Sequence, residues 1–197
     1  MKTYPTITTK FTKTNVITFD KLDGSNVRTE WTKKKGFHKF GSRHKLIDEG
    51  SILAKSIPLM KEREEEMDKI FTKQNWERVV AFFEFYGMNS FAGSHEDEEH
   101  FVSLIDVSVY KKGMLEPEYF VDLFGHLSPK VLHKGMLDEN LVDSVKSGTL
   151  DGMTFEGVVC KYVGKKGVQM FKIKSRAWID KLIIKCNGNM DLFRRLV

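Results

Sequence analysis

Several things this chain lacks narrow what it can be. Cysteine is scarce: Cys160 and Cys186 are the only two in 197 residues. Both lie in apolar, strand-like sequence and are expected to be reduced structural thiols. Without Cys-x-x-Cys spacing they argue against a zinc site. Long apolar runs are missing too, and none approaches the roughly 18 residues of a membrane-spanning helix. The opening Met1-Lys2-Thr3-Tyr4-Pro5 has no signal-peptide stretch. A monomer with no membrane partner is expected, in the cytoplasm of a cell or of a phage-infected host. Repeats, low-complexity tracts and Pro/Gly/Ser-rich linkers are absent. A single domain over 1–197 is therefore expected.

Charge is present in quantity and nearly balanced. Thirty-two Lys and Arg oppose 27 Asp and Glu, a formal net charge of +5. That permits a polyanionic partner without requiring one. Basic residues cluster at Lys33-Lys34-Lys35, Lys111-Lys112, Lys165-Lys166 and Arg194-Arg195, while acid concentrates at 62–68 and 96–99. Solvated hairpin tips account for any one basic cluster; a rim shared around one cleft is the functional alternative.

β-Formers over 14–20 predict a strand, Asp23-Gly24-Ser25-Asn26 a turn, and the alternation over 27–32 a return strand. Further strands are expected over 36–43, 77–86 and 101–110, and a hairpin over 157–174 with Gly-Lys-Lys-Gly at its tip. Amphipathic helices are expected over 59–71, 117–127 and 140–147, the last stopped by Gly148, and a final helix over 178–184. His95-Glu96-Asp97-Glu98-Glu99-His100 reads as an exposed acidic loop, and Trp31, Trp76 and Trp178 as core residues. The fold class is α+β.

The chemistry-bearing residues sit on or beside these strands. Lys21 lies two residues before Asp23-Gly24, at a strand end, where it can be held and aimed. A lysine is a nucleophile only when neutral, so it needs desolvation or neighbouring cations. Lys172 and Lys174, two apart, share one strand face and could supply those cations or grip a phosphate. Glu84 and Glu156 are carboxylates in apolar strand sequence, a costly placement unless each is paired, hydrogen-bonded or on a metal. A ribose hydroxyl and Mg²⁺ would satisfy them, since phosphate and oxygen ligands suit that ion.

In this order, Lys21-Leu22-Asp23-Gly24-Ser25-Asn26, Gly41-Ser42-Arg43, Phe83-Glu84-Phe85-Tyr86-Gly87, Leu104-Ile105-Asp106-Val107, Glu156-Gly157-Val158-Val159-Cys160-Lys161 and Met170-Phe171-Lys172-Ile173-Lys174 resemble motifs I, Ia, III, IIIa, IV and V of the covalent nucleotidyltransferases. The chain most resembles the ATP-dependent RNA ligases of the RNA ligase 2-like group, over about 15–180. The resemblance implies a nucleotidyltransferase (ATP-grasp-like) fold, with antiparallel sheets flanked by helices around an ATP cleft. It implies that Lys21 attacks the ATP α-phosphate to form lysyl-AMP, that Lys172 and Lys174 bind that phosphate, and that Glu156 places a catalytic Mg²⁺ or Mn²⁺. It further implies that Asp20 lies near the metal, that Glu84 contacts the ribose or metal, and that Arg43 contacts the ribose or the RNA 5′-phosphate. Leu22, Asn26 and Ile105 complete the nucleotide contacts.

Two departures matter. Ile105 stands where relatives often stack an aromatic on adenine. Too few residues flank the motifs for an OB-fold, a helical C-terminal domain or an NMN-binding domain, so a catalytic domain alone is expected. Nick sealing in duplex RNA or an RNA/DNA hybrid fits that economy, because a duplex holds both ends in place. Alternatives are an ATP-dependent DNA ligase, an mRNA-capping guanylyltransferase core, and a nucleotide- or RNA-binding module without catalysis.

Overall fold

The computed structural model describes residues 1–87 and 99–197. The acidic stretch His95-Glu96-Asp97-Glu98 lies outside the described residues. The described strands are β1 (Asn15–Asp20), β2 (Gly24–Thr32), β3 (Gly36–Ser42), β4 (Arg78–Gly87), β5 (His100–Val109), β6 (Gly113–Met114), β7 (Val131–Met136), β8 (Gly157–Gly164) and β9 (Gly167–Lys174). The α-helices are α1 (Ser56–Lys61), α2 (Glu64–Lys73), α3 (Pro117–Phe124), α4 (Glu139–Ser147), α5 (Arg176–Cys186) and α6 (Met190–Leu196). None of them is long and apolar enough to cross a membrane. The chain folds as two compact units, each with one antiparallel sheet.

The first unit comprises Met1–Thr6, Asp23–Pro129 and Lys165–Val168. Its sheet runs β3-β2-β4-β5-β6. The apolar run Val79-Val80-Ala81-Phe82-Phe83 is buried along β4, as its composition predicts for a central strand. An aromatic cluster fills the core: Phe71 lies 5.1 Å from Trp31, 5.7 Å from Trp76 and 5.9 Å from Phe124, centroid to centroid. Each such buried side chain contributes about 1.5–3 kcal/mol.

The helix expected over 59–71 is two helices, α1 and α2, separated at Glu62-Arg63. The apolar stripe still holds, because Met60, Met67 and Phe71 are all buried. Tertiary pairing accompanies the break: the Glu64 carboxylate accepts the Phe37 N–H at 2.7 Å, joining the start of α2 to β3.

The second unit comprises Ile7–Leu22, Lys130–Gly164 and Gln169–Val197. Its sheet runs β7-β1-β8-β9. Val16, Val158, Cys160, Phe171 and Ile173 from the strands pack against Leu141, Val142 and Val145, the buried face of α4. That helix is capped at both ends: the Asp138 carboxylate accepts the Leu141 N–H at 2.7 Å, and Gly148 closes it at φ 76°.

The strand over 27–32 is not a return strand for 14–20. β1 pairs with β7 and β8, whereas β2 pairs with β3 and β4 in the other sheet. The expected turn at 23–26 is instead the start of β2 at Gly24. A Cβ at Gly24 would lie 2.3 Å from the Phe85 carbonyl oxygen, so this close strand approach requires glycine. Three elements go unread in the sequence, β6, β7 and α6, and Cys186 ends helix α5 rather than lying in a strand. Both cysteines are free and buried, as expected.

Candidate functional site

The backbone around Lys21 is tightly held. Asp20, the last residue of β1, pairs with Val158 and donates its N–H to the Lys130 carbonyl at 2.9 Å. Lys21 donates its own N–H to the Gly157 carbonyl, also at 2.9 Å. The neighbouring Glu156 carbonyl accepts the Ser175 N–H at 3.0 Å. Gly157 makes this possible: it sits at φ +135°, and a Cβ there would lie 2.1 Å from the Ile173 carbonyl oxygen. The Glu-Gly pair thus lets β8 start in close contact with the end of β9, leaving the Glu156 side chain between two lysines.

Those lysines are Lys21 and Lys174. Lys21 Nζ lies 2.8 Å from Glu156 Oε2, and Lys174 Nζ lies 2.8 Å from Glu156 Oε1. The side chains are 18% exposed for Lys21, 7% for Lys174 and 4% for Glu156, so solvent screens the bridge weakly. Burial pulls the Lys174 ammonium down to about 8, with Glu156 acting against that fall and Lys21 and Lys172 adding to it. Lys172, on the same β9 face, donates to the Val197 carbonyl, and Lys174 also reaches the Leu196 carbonyl at 3.3 Å. The Lys172 backbone is itself tied down, its N–H donating to the Thr8 carbonyl at 2.9 Å.

Asp20 is the second carboxylate of this unit. Its Oδ1 accepts the Thr154 N–H at 3.0 Å. Burial raises its pKa; the Thr154 hydrogen bond opposes that rise and the charge of Glu156 adds to it. Lys21, Lys172 and Lys174 against Asp20 and Glu156 leave a net charge of +1 when all five are ionised, a setting that favours an anion.

The structure therefore brings Asp20, Lys21, Glu156, Lys172 and Lys174 together in the second unit, which Leu22, half-buried, also joins. Asn26, Arg43, Glu84 and Ile105 belong to the first unit. There, Asn26 stands opposite Glu84 in the β2–β4 register, and its Nδ2 donates to the Phe83 carbonyl at 3.4 Å. Its Oδ1 is buried without a hydrogen-bond partner among the described residues. Glu84 is half-buried between the buried Phe83 and Phe85. Arg43 follows β3 and donates to the Thr6 hydroxyl at 3.1 Å.

Ile105 is a bulge. Phe82 pairs with Asp106 and Phe83 with Leu104, so Ile105 is the extra residue. The adjacent Asp106 is buried and accepts the Tyr4 hydroxyl at 2.5 Å. The basic tips Lys33–Lys35, Lys111-Lys112 and Lys165-Lys166 are exposed. Sequence reasoning missed Tyr4 and Thr154, whose contacts span 102 and 134 positions and leave no local signal.

The two antiparallel sheets with flanking helices form a fold that is shared with solved structures of an RNA ligase. Solved structures that share it include those of Naegleria gruberi RNA ligase. An aspartate-to-alanine mutant of that enzyme, apo, matches at TM-score 0.54 and 19% identity. A glutamate-to-alanine mutant with AMP and Mn matches at 0.54 and 21%, and the enzyme with PPi at 0.53 and 19%. Each match covers 85% of this chain and 51% of the other, so the chain spans about half the length of the structures it resembles. No protein-family model matches the sequence, and no curated protein matches it.

Proposed function

We propose that this chain is the adenylyl-transfer domain of an ATP-dependent RNA ligase. The observation that carries the reading is the bridge in which one buried carboxylate, Glu156, holds both Lys21 and Lys174 at 2.8 Å. It aims a lysine from the end of β1 at the place where a second lysine waits for an anion. The neutral Lys21 amine attacks the α-phosphorus of ATP; the P–N bond forms as the P–O bond to pyrophosphate breaks, pyrophosphate leaves with the bonding electron pair, and the amine sheds one proton to solvent. Lys172 and Lys174 hold the α-phosphate and offset the charge that develops on its oxygens. AMP then passes to an RNA 5′-phosphate, and a 3′-hydroxyl displaces it to close the strand. In this reading Glu84, Asn26, Leu22 and Ile105 contact the nucleoside and Arg43 contacts the ribose or the RNA 5′-phosphate.

The residues present fit a divalent cation. Among the described residues no group of three or more His, Cys, Asp or Glu is arranged to hold one. Mg²⁺ and its like need fewer protein ligands when substrate phosphates supply the rest. Asp20 and Glu156 are the pair that would hold it, and the burial and mutual repulsion that raise the Asp20 pKa are what a bound cation would relieve. When bound, the metal supplies charge neutralisation on the phosphates. Neighbouring structures were solved with ATP or AMP together with Mn, which supports the nucleotide and a divalent cation in this reading.

The test is intact-protein mass after incubation with ATP and Mg²⁺, using protein first stripped of nucleotide by pyrophosphate. The wild type gains the mass of one AMP, and Lys21→Ala does not. An adduct with GTP in preference to ATP would point to a capping guanylyltransferase instead. No adduct with either nucleotide would reduce the chain to a binding module. With the adduct in hand, comparing nicked RNA, hybrid and DNA duplexes decides the strand, and sealing of DNA alone would overturn the RNA assignment.

A further inference from the structure

We propose that Trp178 is a positioning residue for Lys174, its indole face forming the support on which the ammonium rests opposite Glu156. The inference builds on the phosphate-holding role assigned above to Lys174. The Lys174 Nζ lies 3.4 Å from the centroid of the Trp178 ring, within the range of a cation–π contact. Trp178 is 3% exposed, and the Lys174 side chain 7%, so water does not compete for the ammonium.

The first turn of α5, which carries the ring, is held by a chain of hydrogen bonds that leads back to the Glu156 backbone. Ser175 caps α5, its hydroxyl oxygen accepting the Trp178 N–H at 3.1 Å. The same hydroxyl donates to the Phe155 carbonyl at 2.6 Å, and the Ser175 N–H donates to the Glu156 carbonyl at 3.0 Å. The indole and the carboxylate that meet Lys174 are thereby both tied to one buried residue, Ser175.

The chemistry explains why an aromatic belongs there. A lysine side chain has four rotatable bonds, and its ammonium is a compact point charge. The polar partners of the Lys174 ammonium are the Glu156 carboxylate at 2.8 Å and the Leu196 carbonyl at 3.3 Å, neither of which is an extended face. A π-face on the other side restricts the ammonium's direction without neutralising the charge needed for a phosphate. An aliphatic side chain of similar bulk would fill the space and offer the cation nothing. Tryptophan gives the strongest such face, with phenylalanine next in kind and weaker.

The experiment measures lysyl-AMP formation, as rate against ATP concentration, for W178F, W178L, K174M and the W178L/K174M double variant. W178L is expected to lose about thirtyfold in kcat/KM, the size of one desolvated cation–π contact, and W178F to recover most of it. On the K174M background W178L should cost nothing further, because its effect passes through the lysine. An undiminished loss on that background, or equal losses in W178F and W178L, would overturn the proposal. If W178L does not fold, W178M takes its place.

A second measurement stands apart from catalysis. The Trp178 indole N–H resonance, identified by its disappearance in W178F, should shift in K174M. An unmoved resonance rejects the contact. A shifted one in a protein that forms no adduct upholds the contact while rejecting the ligase reading.

Discussion

Replacing Lys174 with methionine should remove a distinctive pH dependence of stability. In the folded protein the Lys174 ammonium sits at about 8, against an ordinary 10.5, chiefly because burial disfavours its charge. Between those values the unfolded chain binds more protons than the native one, so stability rises with pH there. Below about 8 both states are protonated, and the native protein carries the full penalty of the buried charge. A fall from 10.5 to about 8 corresponds to about 3 kcal/mol at pH 7. Integrating the linkage relation from pH 7 to pH 10 gives a gain of about 2–3 kcal/mol for the wild type that Lys174→Met should lack. Exposed lysines titrate alike in both proteins and cancel. The assay is urea unfolding of both proteins at pH 7, 8, 9 and 10, read as the difference in free energy at each pH. The difference should move in favour of the wild type as pH rises. A constant difference across the series would refute the reasoning, since Lys174 would then titrate as an ordinary lysine despite its burial.

Two further outcomes follow from the same geometry. Gly157→Ala should destabilise the protein by about 3 kcal/mol or more, because φ +135° is strained for alanine and its Cβ would lie 2.1 Å from the Ile173 carbonyl; a urea midpoint close to wild type would contradict it. Asp20→Asn should stabilise the metal-free protein at neutral pH: burial raises the native pKa above 3.8, so ionising Asp20 costs stability as pH rises through the native value. That advantage should vanish as pH falls below 3.8 and should reverse if excess Mg²⁺ binds the wild type, which thermal melts with and without Mg²⁺ would reveal.

Much of the candidate site is legible in the residues. Lys172 and Lys174 share a face because side chains alternate along a strand, and both turn toward the same helix-end carbonyls at Val197 and Leu196. Glu156 in apolar sequence signals a carboxylate that needs partners, and it has two. Helix α4 follows from its apolar spacing and from Gly148, which stops it, while the Asp138 cap emerges only from the structure. By contrast β7, Val-Leu-His-Lys-Gly-Met, shows no regular burial alternation, and only its pairing with β1 makes it a strand. The bulge at Ile105 likewise exists only as a mismatch between two strands.

The sequence by itself determined local matters: strand and helix periods, the glycine stop of α4, and the residue types suited to attack, phosphate binding and metal placement. These depend on neighbours within a turn or two of chain. Tertiary structure decided which residues meet. Lys21 and Glu156 are 135 positions apart and touch because β1 and β8 pair in one register, with Gly157 allowing the close approach. The same packing desolvates Lys174 and sets Trp178 beneath it. Charge and propensity are properties of a residue, whereas burial, pairing and the pKa that follows from them are properties of its surroundings.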